Sequence, residues 1–208
     1  MIAVVDYSAG NLRSVVNAIT RLGYAPRVTS YPEEVLGAEV VILPGVGAAA
    51  DTMANLTRLG LVAPIKQVIT VGRPFLGICM GLQLLFTATE EGGWHECFGV
   101  FAGRVKRLPP SLKIPHMGWN QLRQKGKHPV LKDIPDRANF YFVHSYYVEA
   151  EDRSLVIGET EYGIDFCSMI ARDNLVATQF HPEKSGEVGL KLYDNFLKMA
   201  LGSSVKRG

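Results

Sequence analysis

Short apolar runs recur through the first half of the chain, and each gives way to a stretch with a different period. Ile2–Tyr7 opens with four apolar residues and reads as a strand buried on both faces. Asn11–Leu22 then places Leu12, Val15, Val16 and Ile19 at helical spacing, and Gly23 stops that helix in a common way. Ala25–Thr29 and Glu39–Leu43 are the next two strands, the second ending abruptly at Pro44-Gly45-Val46-Gly47. Thr52–Val71 reads as helical, with breaks expected near Gly60 and Pro64. Pro74–Ile78 makes a fourth strand and Met80–Thr87 a helix. Strands alternating with helices predict parallel pairing, right-handed crossovers and helices on both faces of the sheet.

The rhythm changes after Val100. Val100–Leu108, Phe140–Ala150, Ser154–Thr160, Asp165–Ala171 and Leu175–Phe180 are strand-like with short turns between several of them, which predicts an antiparallel extension. A last helix, Glu187–Leu201, carries Val188, Leu192, Phe196 and Met199 on one side. The expected fold is therefore α/β: a mostly parallel open sheet with helices on both faces and an antiparallel extension. It would form one domain over residues 1–201, with 202–208 as a flexible tail.

Composition narrows the function classes. Twenty-two basic against 20 acidic residues leave a formal net charge of +2, without the strongly basic face that neutralises phosphates, so a nucleic-acid binder is not expected. The three cysteines, Cys79, Cys97 and Cys167, are odd in number and none forms a C-x-x-C pair. Neither a disulfide framework nor a zinc or redox pair follows from them. His95, His116, His128 and His144 lack metal-ligand spacing, so no metal and no cofactor are expected. No run approaches the roughly 18–20 apolar residues that span a membrane, and the start lacks a basic region before a long apolar one. The expectation is a reduced, cytoplasmic protein.

Three segments carry chemistry. Gly77-Ile78-Cys79-Met80-Gly81 lies at a strand-to-helix junction, the setting of a nucleophile elbow, where a tight turn demands small residues two positions to either side. The following helix would turn its positive end toward the sulfur and favour the thiolate. Taken alone, the same residue also fits a buried structural cysteine. His181-Pro182-Glu183 follows the strand Leu175–Phe180. In extended backbone, residues two apart share a face, so imidazole and carboxylate could be presented together, the carboxylate fixing the ring's tautomer. Both segments end strands of the expected sheet, where open α/β folds place their ligand crevice. A thiolate attacking an amide builds charge on the carbonyl oxygen, which needs N–H donors. The Met80 N–H is one candidate, and Pro44–Gly47 could bring a second; read blandly, that run is only a turn.

Pro44-Gly45-Val46-Gly47, Gly77-Ile78-Cys79-Met80-Gly81-Leu82-Gln83 and His181-Pro182-Glu183 together resemble the three signature segments of class I glutamine amidotransferases, in order and spacing. That resemblance implies a flavodoxin-like open sheet and a triad of Cys79, His181 and Glu183. It further implies oxyanion donors at Val46, Gly47 and Met80, and a glutamine pocket lined by Gly47, Gln83, Glu91, Ser145 and Tyr146. Gln83 also stands one helical turn after Cys79, on the same face. Pro115-His116-Met117-Gly118-Trp119-Asn120 and Tyr141-Phe142-Val143-His144-Ser145-Tyr146 are similar to segments of the glutaminase subunits of imidazole glycerol phosphate synthases. That narrower likeness implies a heterodimer with a cyclase subunit of (β/α)8-barrel fold, which uses the ammonia. It places Asn11, Trp119, Tyr141 and Lys184 at the interface or tunnel mouth. A glutaminase subunit for anthranilate or pyridoxal phosphate synthesis is the alternative, from which Pro115–Asn120 argues away.

Overall fold

The computed structural model describes residues 1–8 and 11–202, so the tail expected over 202–208 lies, from 203 onward, outside the described residues. The first half alternates as read: β1 (Ile2–Val5), α1 (Leu12–Arg21), β2 (Pro26–Thr29), α2 (Pro32–Gly37), β3 (Val40–Leu43), α3 (Ala49–Arg58), α4 (Val62–Thr70), β4 (Phe75–Ile78) and the short α5 (Met80–Gln83). The second half is built of β5 (Ala88–Thr89), β6 (His95–Glu96), β7 (Gly103–Arg107), β8 (His116–Gln124), β9 (Ala138–His144), β10 (Tyr146–Ala150), β11 (Val156–Glu161), β12 (Asp165–Arg172) and β13 (Leu175–Thr178), closed by α6 (Gly186–Leu201).

The path through the sheet runs β2-β1-β3-β4-β13-β12-β10-β7-β5-β6. The stretch β2-β1-β3-β4-β13 is parallel throughout. From β12 onward pairing is antiparallel except between β7 and β5, which run parallel, and β12 also carries β11, which leads to a side arm of β8 and β9.

Strands β1, β3, β4 and β13 are buried along their whole length, which is why their sequences are continuous apolar runs rather than alternating ones. Their side chains divide by period two. Val4, Ile42, Leu76 and Val176 pack with Val15 and Ile19 of α1 and Leu192 and Phe196 of α6. Val5, Val41, Leu43, Phe75 and Ala177 pack on the opposite face with Val35, Leu56, Ile65 and Val68 from α2, α3 and α4. Helices thus cover both faces of the parallel half.

Several expectations need correcting. Helix α2 was not foreseen, although Pro32 at its first position and Glu33 and Glu34 in its first turn are helix-start signals. Pro64 does not break a helix: it sits in the first turn of α4, where a missing N–H costs no intrahelical bond, and the break falls at Gly60 alone. The helix after Cys79 ends at Gln83, because buried Leu84, Leu85 and Phe86 continue as tight turns into the core. Phe140–Ala150 is two strands, interrupted at Ser145. Strand β8 was missed because its burial alternates and Gly118 and Asn120 dilute the apolar pattern.

Candidate active site

The parallel core delivers three chain segments to one place. In register, Leu43 pairs with Gly77, and Ile78 with Thr178, so the residues following β3, β4 and β13 emerge side by side at the carboxyl edge of the sheet. Cys79 follows β4 with φ 54° and ψ −100°, a left-handed backbone that an L-residue adopts only under constraint. The constraint is packing on both sides. A Cβ on Gly77 would come within 2.6 Å of the Gly81 carbonyl oxygen, and one on Gly81 would collide with the Leu43 carbonyl. Cys79 N donates to Thr178 O at 2.7 Å, tying the turn to the neighbouring strand.

His181 and Glu183 meet, but not along an extended strand as the sequence suggested. Pro182–Lys184 forms a 3-10 turn, and it is this turn that folds the carboxylate back onto the ring. His181 Nδ1 and Glu183 Oε1 are 2.8 Å apart with both side chains at most 3% exposed. The segment is held from outside: His181 N donates to Tyr141 O at 2.9 Å, and the Ser185 hydroxyl donates to His181 O at 2.7 Å. Burial alone would push the imidazole pKa down, but the charge of Cys79 and the bond to Glu183 outweigh it and raise it to about 10. The pair with Cys79 and Glu183 thus favours the charged ring, and Nε2 is left free of any protein hydrogen bond. Burial pushes the thiol of Cys97 up to about 11 and that of Cys167 up to about 12, so both stay protonated.

Cys79 opens into a cavity of about 360 Å³, at the small end of ligand sites, which run roughly 300–1,000 Å³. Val46, Gly47, Met80, Gln83, Glu91, Ser145 and Tyr146 all line it, as does Lys184. A larger cleft of about 650 Å³ lies at the opposite edge of the sheet, around Met1, Glu39 and Arg73, far from the thiol. Glu91 reaches across and accepts from Ala49 N at 2.7 Å, capping the start of α3. Gly45 packs so closely on Met80 and Tyr7 that a Cβ there would lie 2.5 Å from Met80 Cβ. The Tyr7 hydroxyl is buried, which raises its pKa to about 12, although Thr52 and the Val46 backbone N–H lie near enough to pull the other way. Asn11, Trp119 and Tyr141 stand outside the cavity. Trp119 and Tyr141 meet edge to face at 6.0 Å, Lys184 Nζ sits 5.8 Å from the Tyr141 ring, and exposed Asn11 precedes α1, which packs against the Pro182–Lys184 turn.

The family profile described as glutamine amidotransferase class-I matches residues 3–200. The chain is a class I glutamine amidotransferase. Among its curated relatives, "Imidazole glycerol phosphate synthase subunit HisH" of Dehalococcoides mccartyi strain CBDB1 is 58% identical over 97% of this chain and 98% of its own length. The protein of the same name from Moorella thermoacetica is 52% identical over 94% of this chain and 93% of its own. Solved structures share the fold at low identity. "Crystal structure of glutamine amidotransferase" superposes with a TM-score of 0.75 at 19% identity, over 96% of this chain and 99% of that one. "Structure of PurLQS from Thermotoga maritima" does so at 0.76 and 20% identity, over 95% and 97%.

Two polar residues of this amidotransferase site escaped the sequence reading. Gln179, fully buried at the end of β13, donates from Nε2 to the Cys79 sulfur at 3.5 Å and accepts from Gln83 Nε2 at 3.1 Å. Its signal was faint, a single amide directly after an apolar strand. Tyr193 of α6 lies fully buried with its phenol toward Glu183; burial and that charge hold its pKa well above the usual value. At a core position of an amphipathic helix, it was indistinguishable from packing. Among the described residues, no helix is long and apolar enough to cross a membrane.

Proposed function

We propose that this chain is the glutaminase subunit of an imidazole glycerol phosphate synthase. It would hydrolyse glutamine to glutamate and ammonia and pass the ammonia to a (β/α)8-barrel cyclase subunit. The cyclase would convert phosphoribulosyl-formimino aminoimidazole carboxamide ribonucleotide to imidazole glycerol phosphate and aminoimidazole carboxamide ribonucleotide, in histidine biosynthesis. The observation that carries the activity is the strained thiol at the mouth of a cavity, beside the buried His181–Glu183 pair. The choice of synthase rests on relatives of that name at 50–58% identity over nearly the whole chain.

The residues divide the work. Cys79 attacks the carboxamide carbon, and the tetrahedral oxyanion takes the Met80 N–H and one from Val46 or Gly47. His181, held as an imidazolium, gives its proton to the departing ammonia. It then takes one from the water that hydrolyses the γ-glutamyl thioester, while Glu183 holds the ring's Nδ1. Gln83, Ser145 and Tyr146 frame the substrate, and Glu91 is the anion available to its α-ammonium. Asn11, Trp119, Tyr141 and Lys184 form the face toward the cyclase.

The Val46 N–H lies by Tyr7, so completing the oxyanion hole would require the Pro44–Gly47 segment to turn. A glutaminase with an incomplete hole is slow, each missing donor costing about 2.7–4 kcal/mol. The test is glutamate release by the purified chain alone, with the cyclase, and with cyclase plus its nucleotide. A rise of at least about 100-fold across the series is expected. Equal rates in all three would refute the gating, and activation by an anthranilate or pyridoxal phosphate synthase instead would refute the choice of partner.

A further inference from the structure

His116 and His144 have so far no part in the chemistry, yet both are buried, His144 in the cavity wall and His116 behind it, and they are bonded to each other at 2.9 Å, Nδ1 to Nε2. Their proton positions follow from one carbonyl. Tyr146 O can only accept, so His144 Nδ1, 2.8 Å away, must carry a proton. His144 Nε2 is then an acceptor, which requires His116 Nδ1 to donate. His116 Nε2 in turn accepts from Asn120 Nδ2 at 3.2 Å, whose second hydrogen goes to Glu161 O at 2.9 Å. The same Tyr146 carbonyl also accepts from Gln83 Nε2 at 3.0 Å. Each ring N–H along this path has one acceptor, and the Tyr146 carbonyl at its end fixes the direction.

The surroundings reinforce the direction. The His116 ring stacks on Tyr162 at 4.1 Å and on Phe142 at 5.0 Å, which fixes its plane. Burial holds the His144 pKa down at about 3 and that of His116 at about 4, so both rings are neutral, as a one-way relay demands. His144 itself lines the cavity with Gln83 and Tyr146. Buried relays of this kind are costly when half made, because each orphaned group keeps its desolvation penalty.

We propose that His116 and His144 are positioning residues of the glutaminase: from the start of β8 and the end of β9 they hold the Tyr146 carbonyl, and with it the Gln83 carboxamide, at the wall that receives glutamine. This rests on the glutaminase reading above, and it adds a role for two side chains that never touch the reacting atoms. Removing the donor to Tyr146 frees the carbonyl and loosens substrate binding more than the chemical step.

The test has two arms. In the full chain, long-range nitrogen–proton NMR of histidine-labelled protein should show both rings as the Nδ1–H tautomer, the one free histidine populates less. In the complex with the cyclase and its nucleotide, His144→Phe should raise the glutamine KM about tenfold while kcat stays within about threefold. His144→Asn, whose amide can replace the Nδ1 donor, should recover most of that loss; His144→Gln, which cannot, should not. Should the Phe variant fail to fold, the Asn and Gln pair decides. An Nε2–H tautomer on either ring, an unchanged KM, or Asn no better than Gln would overturn the proposal. Absence of glutamate release from the unsubstituted complex would instead overturn the glutaminase reading and this proposal with it.

Discussion

The parallel and antiparallel halves of the sheet contribute to the site in different ways. The parallel half supplies geometry through its backbone: β3, β4 and β13 end in register, and the thiol, the histidine and the Pro44–Gly47 loop follow directly. The antiparallel half supplies a wall through side chains, with β8, β9 and β10 arranging His116, His144, Tyr146 and the exposed Met117 and Trp119. A site built on backbone tolerates almost no added atom at its turns. One built on side-chain hydrogen bonds tolerates exchange wherever a donor or acceptor is kept.

The sharpest test of that contrast is chemical. Cys79→Ala should lower glutamate release by the assembled enzyme by about 10⁴-fold or more, whereas Cys167→Ala, in β12, should leave it within about twofold. Comparable losses from both would mean that the elbow is not what activates a thiol here. Next in size is steric. Gly81→Ala drives a methyl into the Leu43 carbonyl and should cost about 3 kcal/mol or more in urea unfolding. Gly126→Ala, beyond β8, meets nothing within 4 Å and should change stability by less than about 0.5 kcal/mol.

The third effect is a pH dependence carried by the wall. The fold holds the His144 pKa at about 3, through burial first, against an unfolded value near 6.5. Below pH 6.5 the unfolded chain therefore binds the extra proton, and stability falls as pH drops toward 3. At pH 5 this one group costs about 2 kcal/mol. His144→Phe should flatten the decline in unfolding free energy between pH 7 and pH 5 by about that much; an unchanged slope would place the acid sensitivity elsewhere, with His116 and His181 the nearest titrating neighbours. Smallest is the exposed pair Arg21–Glu187, with side chains 67% and 82% exposed. Arg21→Ala should shift stability by less than about 0.5 kcal/mol, measured by the same unfolding assay.

The same division explains what could be read from the sequence. Strands buried on both faces are continuous apolar runs, so Ile2–Val5, Val40–Leu43, Phe75–Ile78 and Leu175–Thr178 were recognisable, together with the cysteine, the histidine and the glycine-rich loop that close three of them. Strand β8 alternates and carries Gly118 and Asn120, so its pattern signals no strand. The break at Ser145 was hidden because apolar residues flank it on both sides. The His181–Glu183 contact was anticipated through the wrong geometry: a proline after His181 starts a turn as readily as it stiffens a strand. Gln179 and Tyr193 were invisible because partners distant in sequence, not local pattern, give them meaning.

Strand β4 lies between β3 and β13 with all four residues buried, and the Cys79 turn is sealed by glycines against both flanking elements. Amide hydrogens there have no local opening available and should exchange only when the whole sheet comes apart. The Cys79 turn accordingly has no lifetime independent of the sheet. On heating, alkylation competence of Cys79 and the sheet's circular dichroism should vanish at one midpoint, so that the enzyme is lost all at once rather than by gradual loosening of its centre.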